Sequence, residues 1–165
     1  DDYLLKLVVS KLTENITKEF SVTSLANKIM AVYKTTVPTI TDYFNILPEP
    51  FLAANIYPYR NSFVHRQAKR KTYLADNSFI FLNRIDTDKS RLFENLVFGF
   101  LQRNYPDIHY YKTSNGKEVD FLIVQPDKKL LIQACYTLEN NDTKEREINS
   151  LLKALEELHL ETGYI

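Results

Sequence analysis

The feature that most constrains this chain is a pair of strand-like runs within residues 117–138, "KEVDFLIVQPDKKLLIQACYTL". Two apolar runs flank the turn-forming letters "QPDK", a pattern that predicts two β-strands joined by a tight turn. Glu118 and Asp120 open the first strand, and Gln133 and Cys135 hold alternate positions in the second. The hairpin therefore combines an apolar sheet core with a small set of polar side chains.

Alternation along these strands predicts where the polar side chains meet. Side chains two positions apart share a face of a strand, so Asp120 is expected to share its face with Leu122. By the same rule, Gln133 and Cys135 share a face of the next strand. If the two faces coincide, Asp120, Gln133 and Cys135 converge beside the helix that carries Glu94.

The second half of the chain alternates helix and strand patterns. A helix that is apolar on more than one face precedes three strands, and an amphipathic helix and the letters "GYI" follow them. The predicted order is αβββαβ, an α/β sandwich. The helices are predicted at residues 88–104 and 143–159, and the strands at 107–114, 117–125, 129–138 and 163–165.

The first half has a different pattern. Three helices are followed by two β-like runs with a basic stretch between them, and this order describes a winged helix-turn-helix. The helices are predicted at residues 3–15, 21–30 and 36–47, and the strands at 50–59 and 69–76.

Charge also divides the chain into two parts. Residues 1–85 carry 11 Lys and Arg against 7 Asp and Glu, whereas residues 86–165 carry 10 against 14. We therefore expect a winged-helix domain at 1–85 and an α/β domain at 86–165. The net charge of the whole chain is zero, which argues against a surface coated uniformly by nucleic acid.

Glycine content limits the nucleotide chemistry of the chain. The three glycines, Gly99, Gly116 and Gly163, are too far apart to form a Walker A loop or a dinucleotide fingerprint. The single cysteine excludes an internal disulfide and favours a reducing, cytoplasmic setting. No apolar run reaches the ~20 residues that span a bilayer, and the start "DDYLLK" predicts a piece of a longer protein without a signal peptide.

Three motifs resemble a known family. "RKTYLAD", "RLFENLVFGFL" and "YYKTSNGKEVDFLI" are similar to the C-terminal domain of unknown function of prokaryotic AAA-type ATPases. The order of a helix with Glu, a strand with "EVDF", a turn and a strand with a polar-x-polar pair also resembles the PD-(D/E)XK, restriction-endonuclease-like fold. The resemblance implies an ATP-binding ATPase domain N-terminal to this chain.

The resemblance also implies a magnesium-dependent nuclease site. In that reading Asp120 holds the metal, Glu94 adds a ligand or a water, position 133 is Glu and position 135 is Lys. Here Gln133 is neutral, and Cys135 supplies neither a cation nor a ligand that magnesium favours. Lys112 and Lys117 lie near the hairpin and could replace the missing cation. We expect a degenerate nuclease scaffold used for binding, with a protein–protein or oligomerisation module and a magnesium nuclease centred on Asp120 as the two alternatives.

Each candidate residue also has a structural interpretation. Glu94 could pair with Arg91, Glu118 with a lysine at the strand start, and Asp76 could accept backbone amides at a turn. Cys135 is expected to be a small buried hydrophobic residue. The three histidines have no metal-ligand spacing and are expected at surface or packing positions: His65, His109 and His159.

Nucleic-acid binding is predicted on the hairpin of the first half. The third helix offers only Thr39, Thr41, Asp42 and Asn45 outward and has no basic residue, so it is poorly suited to reading bases. A basic cluster lies around the hairpin and could contact phosphates without reading sequence: Arg60, His65, Arg66, Lys69, Arg70 and Lys71. A solvated charged hairpin is the alternative. The expected partners are DNA or a protein together with the ATPase domain, and no membrane.

Overall fold

The computed structural model describes residues 1–46, 53–59, 69–81 and 88–165. These residues form five helices of nine residues or more, one single-turn helix and a mixed six-stranded sheet, which confirms the predicted α/β class. In chain order the elements are α1 (Asp2–Glu14), α2 (Val22–Met30), α3 (Val37–Ile46), β1 (Ala53–Pro58), β2 (Lys71–Leu74), α4 (Ser78–Phe81), α5 (Lys89–Asn104), β3 (Ile108–Lys112), β4 (Glu118–Val124), β5 (Lys129–Ile132), α6 (Asn141–Leu158) and β6 (Gly163–Tyr164). The αβββαβ order of the second half is confirmed.

The first three helices begin at polar caps and pack on one apolar cluster. The Asp1 carboxylate accepts from the Tyr3 and Leu4 amides, and Ser21 accepts from the Ser24 amide at 3.1 Å; Asp and Ser are among the residues that commonly cap helix starts. Leu4 and other residues at helical spacing fill the cluster. No helix in the part of the chain that the structure describes is long and apolar enough to cross a membrane.

The sheet has the strand order β2-β1-β3-β4-β5-β6. β1 is antiparallel to β2 and parallel to β3, β4 is antiparallel to both of its neighbours, and β5 is parallel to β6. The hairpin formed by β1 and β2 belongs to the first half of the chain, yet it lies in the same sheet as the strands of the second half. The sheet is therefore continuous across the predicted boundary between residues 85 and 86.

The turn between α1 and α2 covers the outer edge of β2. Phe20 and Arg70 exchange backbone hydrogen bonds of 2.9 Å in both directions, and the Thr17 amide donates to the Thr72 carbonyl at 3.0 Å. β2 is thus paired on both sides along this stretch, which protects an edge that could otherwise pair with another chain.

Two helices cover opposite faces of the sheet. Phe98 and Leu101 of α5 pack with Phe121 and Ile123 of β4, whereas Leu151 and Ala154 of α6 pack with Val119 and Leu122. The pairing of β3 with β4 shifts between His109 and Tyr111, opposite Asp120 and Phe121. This β-bulge interrupts the alternation, so Val119 and Leu122, three positions apart, both pack towards α6. Asp120 lies on the α5 side, where it bonds the same lysine as Glu94 of α5. The predicted shared face of Asp120 and Leu122 is therefore wrong.

Candidate functional site

A buried lysine lies at the centre of the carboxylates that the sequence singles out. The Nζ atom of Lys71 is 2.7 Å from Glu118 Oε1, 3.1 Å from Glu94 Oε1 and 3.2 Å from Asp120 Oδ1. The Lys71 side chain is only 2% exposed. We call Lys71, Glu94, Glu118 and Asp120 the Lys71 cluster.

Three elements from distant parts of the chain build the Lys71 cluster. Lys71 opens β2, Glu94 lies in the second turn of α5, and Glu118 and Asp120 lie on β4. Tyr73, two residues after Lys71 on β2, donates to Glu94 Oε1 at 2.8 Å. The aromatic ring of Tyr73 stacks on Phe98 of α5 with ring centroids 4.2 Å apart. The strand therefore presents both a cation and a hydroxyl to the α5 carboxylate.

Burial and neighbouring charges shift the pKa values of the Lys71 cluster in opposite directions. Burial disfavours the Lys71 ammonium, but the carboxylates of Glu94, Asp120 and Glu118 outweigh it and raise the pKa of Lys71 well above its ordinary value. Burial raises the pKa of the Glu94 carboxyl to about 7, against the opposing charge of Lys71. Burial also raises the pKa of Asp120. One ammonium thus faces three carboxylates, and burial favours the protonated form of both Glu94 and Asp120.

Asp120 also connects β4 to the end of β5. Its Oδ2 atom accepts the Ala134 amide at 3.0 Å, and its own amide donates to Gln133 Oε1 at 3.2 Å. The Gln133 side chain is buried, and its Nε2 atom donates to Glu147 of α6 at 2.7 Å. Gln133 therefore acts as a hydrogen-bonded bridge between β4 and α6, using both ends of its amide.

The structure brings together only some of the side chains predicted to converge, which were Asp120, Gln133 and Cys135 beside Glu94. Asp120 lies with Glu94 around Lys71, and Gln133 touches the Asp120 backbone. Cys135 is half-buried instead of fully buried, and its Sγ atom donates to the Thr137 carbonyl at 3.0 Å. Within the described ranges, no hydrogen bond joins Cys135 to the Lys71 cluster.

The contacts of Arg91 and Glu118 show which of their predicted pairings form. Arg91 does not pair with Glu94. Its guanidinium donates to the carbonyls of Glu14 and Ile16 at 2.7–3.2 Å, and so fastens the end of α1 to α5. Glu118 does pair with a lysine, which is Lys71.

The remaining candidates occupy ordinary structural positions. Asp76 accepts the Ser78 amide at 2.6 Å, as a turn residue does. His109 lies 2.8 Å from Asp107, and His159 ends α6 with φ 52°. His65 lies outside the described residues.

The basic cluster predicted to bind nucleic acid is only partly at the surface. Lys71 cannot reach a phosphate, because its side chain is buried and its ammonium already bonds three carboxylates of the chain. Lys69 pairs with Glu19 at 2.8 Å, and the Arg70 guanidinium lies over the Tyr57 ring at 5.6 Å. Arg66, together with Arg60 and His65, lies outside the described residues.

Lys112 is also engaged by Glu19. Its Nζ atom is 2.7 Å from Glu19 Oε2, which also accepts the Tyr110 hydroxyl at 2.9 Å. Despite the opposing cost of burial, the hydrogen bonds from Lys112, Lys69 and Tyr110 lower the pKa of Glu19 to about 2. Lys71, and not Lys112, therefore supplies the cation at the Lys71 cluster.

Asn95 is a key residue that the sequence reading missed. The buried Asn95 amide accepts from the Leu74 amide at 2.8 Å and donates to the Leu74 carbonyl at 2.9 Å. It also donates to Asn77 Oδ1 at 2.9 Å. Glu94 and Asn95 thus hold the two ends of β2. Their adjacency in "ENLVF" and the spacing of "KTYL" were the available signal, because Lys71 and Tyr73 share one strand face.

The donor set does not fit a magnesium site at Asp120 and Glu94. Magnesium requires near-octahedral oxygen ligation at about 2.0–2.1 Å, whereas an ammonium already bonds both carboxylates from the centre of the cluster. Both ends of the Gln133 amide are used by other groups. Across the described ranges, no three His, Cys, Asp or Glu side chains are arranged to hold a metal ion.

Comparisons with known proteins relate this chain to others of unassigned role. The chain is 30% identical over 167 residues to the uncharacterized protein MJ1544 of Methanocaldococcus jannaschii, an alignment that covers 95% of this chain and 36% of that protein. The chain thus spans about a third of the length of this curated relative. No solved structure matches the chain. Residues 89–165, which hold α5 and all elements after it, match the family DUF4143, described as a domain of unknown function.

Proposed function

We propose that this chain is a target-binding accessory module of an AAA-type ATPase, built on a nuclease-like scaffold that does not cut. The observation that carries the proposal is the Lys71 ammonium, which bonds the carboxylates that a nuclease would use for its metal. A cation held at 2.7–3.2 Å satisfies these carboxylates internally. The cluster then serves to hold β2 against α5 and β4.

Parentage in an ATPase is supported by sequence and by length. The three motifs that resemble the ATPase family span β2, α5 and the β3–β4 hairpin. These motifs meet in space: Lys71 and Tyr73 bind Glu94, and Lys71 binds Asp120. Most of the length of the curated relative lies outside the aligned segment, which leaves room for an ATP-binding domain. ATP is therefore proposed for that part of the parent protein and not for this chain.

The order of helices and strands in the first half supports a winged-helix origin. α1 is followed by the Phe20 bridge to Arg70, then by α2, α3 and the β1–β2 hairpin. The exposed positions of α3 carry no basic side chain: Pro38, Thr39, Asp42, Asn45 and Ile46. We therefore favour a protein as the target, because phosphate contacts depend chiefly on Arg and Lys, and of the exposed α3 side chains Asn45 alone is of a type that commonly reads base edges.

Incubation of the purified chain with plasmid DNA and Mg²⁺ tests the loss of cutting. The expected result is no cleavage by the wild type, by Asp120→Asn or by the matched control Asp127→Asn, which changes an exposed carboxylate in the β4–β5 turn. Cleavage that disappears in Asp120→Asn and persists in Asp127→Asn would instead support the magnesium nuclease.

Fluorescence anisotropy with labelled DNA tests the class of target. We expect no saturable binding even at low salt, where phosphate contacts are strongest. Salt-sensitive binding that is weakened by Lys69→Ala with Arg70→Ala, but not by Lys128→Ala on the exposed β4–β5 turn, would establish nucleic acid as the target.

A further inference from the structure

One face of α5 is apolar and uncovered. Leu96 and Phe100, one turn apart, are 63% and 65% exposed. Gly99 lies beside them, and a Cβ atom built there would meet nothing within 4 Å. Residues at this spacing lie on one side of a helix, so the stripe is a continuous surface rather than two isolated side chains.

A groove of about 560 Å³ runs beside this stripe. α5 forms one wall, and the turn from Ala75 to Asn77 forms the other. The groove is anchored beneath by Asn95, whose amide bonds Leu74 and Asn77. Its shape is therefore set by buried hydrogen bonds.

The groove carries one charge of each sign. Asp76 and Arg103 both line it, and no ion pair joins them. Arg103 is exposed and, among the residues that the structure describes, its guanidinium has no hydrogen bond or ion pair. Among the described residues, the hydrogen-bond partner of the Asp76 carboxylate is Ser78, through its backbone amide at 2.6 Å and its side chain. Each is thus available to an opposite charge from outside.

We propose that this groove binds the same groove of a second copy of the chain, across a two-fold axis close to Gly99. In a two-fold interface every contact occurs twice: if one residue of the first copy contacts a different residue of the second copy, the same pair also meets with the two copies exchanged. A patch with one cation, one anion and an apolar centre satisfies this condition, because Arg103 of each copy can face Asp76 of the other. A nucleic acid would require cations alone. The inference does not depend on the proposed function, since it concerns a different surface from the Lys71 cluster.

The size of the patch sets the expected strength. Stable specific interfaces bury roughly 800 Å² on each partner, and one helix face with a neighbouring turn supplies less than that. We therefore expect a reversible dimer that forms at micromolar or higher concentrations. The open space over Gly99 allows the two α5 helices to approach closely, which favours helix packing.

Sedimentation velocity over a concentration series tests the proposal through a charge exchange. Asp76→Arg alone places two cations opposite each other, and Arg103→Asp alone places two anions, so each variant is expected to remain monomeric. An equimolar mixture restores both opposite-charge contacts, and we expect it to dimerise at least as strongly as the wild type. A mixture no more associated than its components would overturn the charge pairing.

If substitution of Asp76 disturbs its turn, two variants at apolar positions still test the proposal. Leu96→Glu is expected to weaken dimerisation at least tenfold. Leu152→Glu, which changes an apolar residue on α6 that is 57% exposed, is expected to leave it unchanged. A wild-type chain that is strictly monomeric at the highest concentration, or equal effects of the two variants, would contradict the proposal and leave the groove to a different partner.

Discussion

The Nζ atom of Lys71 lies 3.2 Å from Oδ1 of Asp120, although 49 positions separate the two residues in the chain. In the sheet, their strands β2 and β4 are separated by β1 and β3. The Lys71 ammonium lies close to Tyr110 of β3, 5.7 Å from the ring centroid. The hairpin of the first half is therefore joined to the second half by a buried charge as well as by the sheet.

Replacement of Lys71 by methionine is expected to destabilise the protein by about 3–5 kcal/mol at neutral pH, because it leaves buried carboxylates without a counter-charge. Urea denaturation measures the loss. The matched control is Lys69→Met, which removes an exposed lysine paired with Glu19 and is expected to cost at most about 1 kcal/mol. Equal costs for the two variants would show that the cluster does not hold the fold together.

Glu94→Gln is expected to gain stability relative to the wild type as the pH rises from about 4.5 to about 7. The raised pKa of Glu94, about 7, means that the folded protein binds more protons than the unfolded chain in this window. Wild-type stability therefore falls as the pH rises through it. Glutamine removes this dependence and can still accept from Tyr73 and Lys71. Urea denaturation at several pH values gives the difference, and a difference that is constant with pH would contradict the assignment.

Glu19→Gln is expected to show the opposite dependence. The pKa of Glu19 is lowered to about 2, so its carboxylate stabilises the fold above pH 4.5, and this contribution is lost as the pH falls towards 2. The variant should be less stable than the wild type at neutral pH, and the two should converge in acid. The same denaturation series measures this, and a deficit that persists unchanged at pH 2 would rule out the carboxylate as its source.

Asn95→Ala is expected to cost about 2–4 kcal/mol, because it leaves the buried Leu74 amide and carbonyl without partners. Hydrogen exchange provides the specific readout: protection of the Leu74 amide should fall further than that of amides elsewhere in the sheet. Asn104→Ala, which removes an exposed side chain that donates to the Phe100 carbonyl on the same helix, serves as the control. Unchanged protection at Leu74 would contradict the role given to Asn95.

Much of the fold follows from local pattern. The starts of α1 and α2 are fixed by Asp1 and Ser21, side chains that accept the first amides of each helix, and such caps are visible in a sequence. The αβββαβ order follows from periodicity in the same way. The bulge at Asp120 and Phe121 does not, because it depends on how β3 and β4 align and not on either strand alone.

The candidate site was less predictable because its central residue belongs to a basic run. Lys71 follows Lys69 and Arg70, and a lysine in such a run is typically solvated. Its burial depends on three carboxylates that reach it from α5 and β4, at separations of 23 and 49 positions for Glu94 and Asp120. Only the spacing of Lys71 and Tyr73 on one strand indicated that the two act together.

Titration of the isotope-labelled protein with Mn²⁺, followed by NMR line broadening, tests most directly whether Lys71 takes the place of a metal. A metal held by Asp120 and Glu94 would broaden the amides around β4 and the end of β5 before those elsewhere. Because Lys71 already bonds these carboxylates, we expect no selective broadening at Asp120, Gln133 or Ala134 in the wild type. Selective broadening at these residues that disappears in Asp120→Asn would show that the carboxylates bind a metal, and would contradict the role given to Lys71.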